Sequence, residues 1–160
     1  MAILLQFCAF DSLVSRFIAY GTEGTVAHVD AVDDAGNLWG AQNETGLGGK
    51  PSGVQIRLED YGDSCGMTNR IRVLVSATPA QEAAFWGFMR NQLGKPYDLT
   101  GIAGFIAGRD WHDDGAWFCS ELVCAALEAS GAIKKLETPA NKITPQELLL
   151  VCSVIGDVVK

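Results

Sequence analysis

Gly115-Ala-Trp-Phe-Cys-Ser-Glu-Leu-Val-Cys124 sets a cysteine, Cys119, where an aromatic segment gives way to an amphipathic helix. Beyond it Leu122, Val123, Ala126 and Leu127 recur at helical spacing, and Gly131 supplies the stop. A thiol on the first turn of a helix lies beside unpaired backbone N–H groups and the positive end of the helix dipole. Both favour thiolate, the reactive form. Cys119 is therefore the residue best placed to do chemistry, and the chain offers it 2 histidines as a base, His28 and His112.

Working outward, the apolar run Ala2–Cys8 predicts a buried strand, and Asp11–Ala19 predicts a short helix. Thr25–Asp33 alternates as a strand with Val26, His28, Asp30 and Val32 on one face. Asp34–Asn37 reads as a hairpin turn and Leu38–Gln42 as the returning strand. Val54–Leu58 and Ile71–Val75 follow as two further strands. Thr78-Pro-Ala-Gln81 is a helix start, with threonine as cap, proline in the first turn and glutamine at the capping-box position. That helix is expected to run to about Leu93 and to bury Ala84, Phe85, Phe88 and Met89. Residues 98–107 read as a short, weak helix, and Thr144-Pro-Gln-Glu147 opens a last helix before an apolar tail. Strands first and helices after point to an α+β fold, a small antiparallel sheet packed against helices, in a single domain over 1–160.

Composition narrows the function classes. The net charge of −7 argues against a nucleic-acid backbone or an anionic lipid surface as partner. An odd count of 5 cysteines without a CxxC pattern suits a reducing compartment better than a disulfide framework. The first ten residues lack a basic segment and a cleavage site, so they predict a strand rather than a signal peptide, and a cytoplasmic setting. Delivery by a phage or a secretion apparatus remains compatible with this. No apolar run approaches the ~18 residues of a membrane span, so no integral membrane segment is expected.

The chemistry expected at Cys119 is nucleophilic. A cysteine nucleophile needs an imidazole in hydrogen-bond reach to take its proton and return it to the leaving group. His28, on a strand facing a helix start, can supply one, and Asp30 on the same face can orient the ring. Backbone N–H groups at the helix start can form part of an oxyanion hole. Against this stands the plain alternative of a buried structural cysteine and a strand histidine. His112, in Trp111-His-Asp-Asp114, is the rival base by proximity along the chain, or a solvated loop residue. The His-Asp-Asp run lacks a second ligand cluster, so neither a metal nor another cofactor is expected. Cys8, Cys124 and Cys152 lie in apolar elements and read as core; Cys65 lies in a polar loop. Gly46–Gly53 contains Gly-Gly-Lys but continues with Pro51, so it reads as a connection that could rim a cleft rather than a phosphate loop.

Four pieces in order carry a resemblance: Ser15-Arg-Phe-Ile18, Ala27-His-Val29, Gly94-Lys-Pro-Tyr-Asp98 and Trp117-Phe-Cys-Ser-Glu-Leu-Val123. Together they resemble the circularly permuted papain-like amidases, bacterial and phage relatives of NlpC-type cell-wall hydrolases and of lecithin:retinol acyltransferase-like proteins. The likeness spans roughly residues 3–150, including Thr-Pro-Gln-Glu-Leu148. It implies a permuted papain-like fold and a thiol hydrolase, an amidase or peptidase, with Cys119 as nucleophile and His28 as base and then acid. Tyr97 matches a family tyrosine near the active-site mouth, and Tyr97, Gln42 and Trp117 are the candidate substrate-binding residues. The substrate would be a peptide, a cell-wall fragment or an acylated small molecule. Relatives often carry the third polar residue on the strand after the histidine, where this chain has Gly40. Asp30, Gln42 or a dyad with no third member are the alternatives. Two other outcomes stay open: acyl transfer or thioester cleavage on a lipid or acyl substrate, and a binding protein that keeps the fold without the chemistry. Oligomeric state is not readable from the sequence.

Overall fold

The computed structural model describes residues 1–11, 24–42, 52–58, 66–98 and 115–159. The expectations for the helix at Asp11–Ala19, the Cys65 loop, the weak helix over 98–107 and the His112 loop fall wholly or almost wholly outside these residues. Most of the Gly46–Gly53 connection does too.

Alternation along β1 (Ala2–Phe10) puts Ile3, Leu5 and Phe7 on one face, none more than 1% exposed. Gln6 and Cys8 occupy the other face and are buried as well. β1 pairs antiparallel with β2 (His28–Val32), with Gln6 across from Asp30 and Cys8 across from His28. Its other edge pairs with β5 (Met67–Ser76), placing Arg72 beside Gln6 and Arg70 beside Cys8. β3 (Leu38–Gln42) and β4 (Gly53–Arg57) extend the sheet beyond β2, and β6 (Gly156–Val159) closes it beyond β5. The order is β4-β3-β2-β1-β5-β6, a six-stranded sheet in which every pairing is antiparallel.

The β2–β3 turn is organised by Asp33. Its Oδ1 accepts from the Ala35 N–H at 2.9 Å and the Asn37 N–H at 2.8 Å, and its Oδ2 accepts from Trp39 Nε1 at 2.9 Å. Burial would raise the Asp33 pKa, but these donors outweigh it and hold the carboxyl below its ordinary value.

Among the described residues, three α-helices cover the apolar face. In α1 (Pro79–Gln92) the Gln81 N–H donates to Thr78 Oγ1 and the Thr78 N–H donates to Gln81 Oε1, the reciprocal cap that the sequence predicts. The same exchange between Thr144 and Glu147 starts α3 (Pro145–Ile155). Between them, α2 (Cys119–Ser130) ends at Gly131, whose φ of 71° is the left-handed stop that glycine adopts without strain. Leu122, Val123, Ala126 and Leu127 of α2 pack with Val29, Ala31, Phe7 and Leu5 of the sheet and with Phe85 and Met89 of α1.

Three local expectations are corrected. Ala84 is exposed, because α1 turns the Phe85, Met89 and Gln92 stripe inward, with Phe88 half-buried. The strand expected from Thr25 begins at His28, although Val26 and Ala27 are already buried beside it. The apolar tail is β6, a 4-residue strand paired with β5 from Val75↔Gly156 to Arg72↔Val159. No helix among the described residues is long and apolar enough to cross a membrane.

Candidate active site

His28 opens β2 and Cys119 opens α2, and the two starts meet. His28 Nε2 lies 3.0 Å from Asp30 Oδ2, with side-chain exposures of 8% and 2%. Asp30 acts on the ring chiefly through its charge. The imidazole also shares a hydrogen bond with the Cys119 thiol, placing the ring between a carboxylate and a sulfur. Burial alone would push the His28 pKa down. The Asp30 carboxylate foremost, and Cys119 after it, reverse this and raise it to about 10. The ring is thus held as imidazolium at neutral pH, a charge-compensated acid beside the Cys119 sulfur. Phe10 closes one flank, its ring 6.1 Å from that of His28.

The start of α2 is fixed by three contacts. Ser120 Oγ donates to the Ile143 carbonyl at 2.6 Å, tying the first turn to the segment before α3. Glu121 Oε2 accepts from the Phe118 N–H at 3.2 Å, satisfying the backbone donor of the residue that caps α2. Pro96–Asp98 runs alongside Trp117, with Trp117 N–H to Pro96 O and Asp98 N–H to Trp117 O both at 3.0 Å. That pairing delivers Tyr97 to the site. Its ring is 6.0 Å from Phe118, and burial, then the neighbouring Cys119 and Asp98, push its phenol well above the usual value. Tyr97 therefore stays a hydroxyl donor next to the sulfur.

The remaining residues fall as follows. Gln42, 7% exposed, ends β3 and comes opposite His28 when the Ala31↔Trp39 register is continued. Trp117 is turned toward α1: its Nε1 donates to Gln92 Oε1 at 3.0 Å, and its ring meets Phe88 edge-on at 5.9 Å. It serves to seat the Tyr97 segment. His112 lies outside the described residues. Cys124 and Cys152 are buried, and burial first, then Glu128 and Glu121 for Cys124 and Cys124 itself for Cys152, pushes each up to about 12. Both are inert core thiols.

Cys8 has a different setting. It sits across from His28, and burial first, then the Asp30 and Cys119 charges, raise its pKa well above the ordinary value. Cys8 and Gln6 are the site neighbours that sequence reasoning misses. The alternation of β1 puts them on one face, but only the register with β2 shows which residues that face meets. Among the described residues no group of three or more His, Cys, Asp or Glu side chains is arranged to hold a metal ion.

No family model and no curated protein matches the chain. Among solved structures, the crystal structure of metalloprotein yiiX from Escherichia coli O157:H7 is similar at a TM-score of 0.58 and 16% identity. The match covers 99% of this chain and 87% of that chain. At this identity the likeness is one of fold.

Proposed function

We propose that this chain is a cysteine hydrolase of permuted papain-like fold that cleaves an amide bond through an acyl-Cys119 intermediate. One observation carries the reading: the His28 imidazole stands between the Asp30 carboxylate and the Cys119 sulfur at the start of a helix. The four-part sequence resemblance points to the same roles.

In this mechanism the Cys119 thiolate attacks the substrate carbonyl carbon, and backbone N–H groups at the start of α2 receive the oxyanion. The His28 imidazolium then gives its proton to the departing amine. Water resolves the thioester, with neutral His28 taking the water's proton and Cys119 leaving as thiolate. Asp30 orients the ring throughout and stabilises its charge whenever it carries the proton. Tyr97 and Gln42 flank the reacting atoms and are assigned to the substrate. The substrate class is a peptide, a cell-wall fragment or an acylated small molecule.

Cys119 is 0% exposed, so substrate must open a path to it. That burial favours a second reading, a binding protein of the same fold whose Cys119 is structural. Alkylation by iodoacetamide between pH 5 and pH 9, with sites mapped by mass spectrometry, separates the two. The hydrolase reading expects Cys119 of the wild type to react well below pH 8 and the His28→Ala variant to react at least about tenfold more slowly at pH 6. Equal rates in the two proteins would sink the pair and leave the structural reading.

A further inference from the structure

We propose that Gly40 is a positioning residue: its missing side chain creates the volume in which the Asp30 carboxylate stands against His28. The bare position on β3 and the carboxylate on β2 are a matched pair. The functional weight of this pair rests on the reading of His28 as the acting base; its geometry does not.

Continuing the register of Val32↔Leu38 and Ala31↔Trp39 sets Gly40 directly across from Asp30. A Cβ built on Gly40 would overlap Asp30 Oδ1, and would lie 3.1 Å from Asp30 Cγ and 3.3 Å from the Val29 carbonyl oxygen. The backbone gives no other reason for glycine, because Gly40 is not among the glycines of positive φ. Glycine inside a strand is unfavourable relative to alanine, so some other requirement has to hold it there. Space for a carboxylate is that requirement.

The carboxylate has nowhere else to go. Asp30 is 1% exposed, so no solvent-facing rotamer is open to it. On the β1 side it meets Gln6, which is fully buried. The Gln6 Oε1 accepts from Arg72 Nε at 3.1 Å and Nη2 at 3.0 Å, which fixes the amide plane. Gln6 Nε2 is buried without a partner of its own, so the amide turns its donor side away from Arg72. Asp30 is thus bracketed by a pinned amide on one strand and an empty position on the next. Among the described residues, the titratable groups facing His28 are Asp30 on its own strand, Cys119 on α2 and Cys8 on β1, with Arg70 of β5 acting on Cys8. Asp30 is the carboxylate of this set.

The pairing predicts that the carboxylate can be moved from one strand to the other. The experiment is a titration of the His28 imidazole by NMR in histidine-labelled protein, its signals assigned by their loss in His28→Gln. Asp30→Gly is expected to lower the His28 pKa by about 1–3 units, the scale of removing an adjacent opposite charge. Gly40→Ala is expected to lower it as well, by displacing the carboxylate. The exchange variant Asp30→Gly/Gly40→Asp is expected to recover most of the shift. A Gly40→Ala protein that titrates as the wild type, or an exchange variant that titrates as Asp30→Gly alone, overturns the proposal.

Urea unfolding covers the case in which Gly40→Ala folds poorly. The damage done by Gly40→Ala should be largely relieved in an Asp30→Gly background, where nothing fills the space. Damage as large without Asp30 as with it would mean that Gly40 serves strand packing, and the proposal fails. Turnover enters neither measurement, so failure here leaves acyl-Cys119 chemistry untouched, and absence of turnover leaves the pairing untouched.

Discussion

Replacing Cys119 with alanine is expected to abolish hydrolysis, with at least a 10⁴-fold loss on the order seen when a covalent nucleophile is removed, while the fold persists. The asymmetry between the two effects is physical. The sulfur is one atom in a packed first turn whose position is set by other groups: Ser120 bonded to the Ile143 carbonyl, Glu121 bonded to the Phe118 N–H, and the buried Leu122 and Val123. Losing it leaves a cavity smaller than a methylene-rich side chain would, for a cost of about 1 kcal/mol. In the proposed mechanism, losing the sulfur removes the atom that forms the acyl intermediate. The measurement is turnover of a panel of peptides, cell-wall fragments and acylated small molecules by the two proteins, with circular dichroism and urea midpoints as the control for folding. If Cys119→Ala turned over any of these at the wild-type rate, the mechanism would be wrong. Adding amine or alcohol acceptors to the wild-type reaction extends the same assay. Transfer products in place of the free acid would identify acyl transfer as the outcome at the same cysteine.

Local chemistry was the most readable part of this chain. A Thr-Pro start followed by glutamine or glutamate commits a segment to a helix through hydrogen bonds made within four residues, so α1 and α3 begin where the sequence says. Gly131 ends α2 for an equally local reason. Alternation likewise puts His28 and Asp30 on one face of β2, which is why their contact could be expected before any tertiary structure. What the sequence hides is set by pairing partners. β6 is too short for periodicity to distinguish it from a frayed helix end, and it exists because β5 offers a free edge. Gln6 and Cys8 belong to the site only through the β1–β2 register, and Ala84 is exposed only because the sheet and α2 receive a narrower stripe of α1 than its composition allows. Gly40 shows the limit most clearly. Read along the chain it is a missing side chain and a gap in the site, whereas across the sheet it is the space that Asp30 fills.

That filled space has a thermodynamic consequence, because the buried charge pair it accommodates must be kept intact. Asp30→Asn is expected to destabilise the protein by about 3–5 kcal/mol at pH 6, the range for removing one partner of a buried pair and leaving the other. Asn keeps the shape and removes the charge, so packing changes little and the loss is electrostatic. The pH dependence identifies the source. The folded-state pKa of His28 is raised to about 10, while in the unfolded chain it returns to the ordinary 6.5. Burial lowers it and Asp30, then Cys119, more than offset that lowering. Below pH 6.5 both states carry the proton and the full stabilisation is present. Between 6.5 and about 10 the folded state alone retains it, so folding takes up a proton and stability declines as pH rises, by up to about 1.4 kcal/mol per unit. Urea midpoints of the wild type should therefore fall steadily from pH 7 to pH 9, under reducing conditions that keep the thiols free. The Asp30→Asn curve should be flatter by most of that slope, since without the carboxylate His28 loses the larger part of its shift, and the two curves should converge toward alkaline pH. A variant that parallels the wild type across this window, however large its loss at pH 6, would show that Asp30 contributes through packing and that the imidazolium is held by something else.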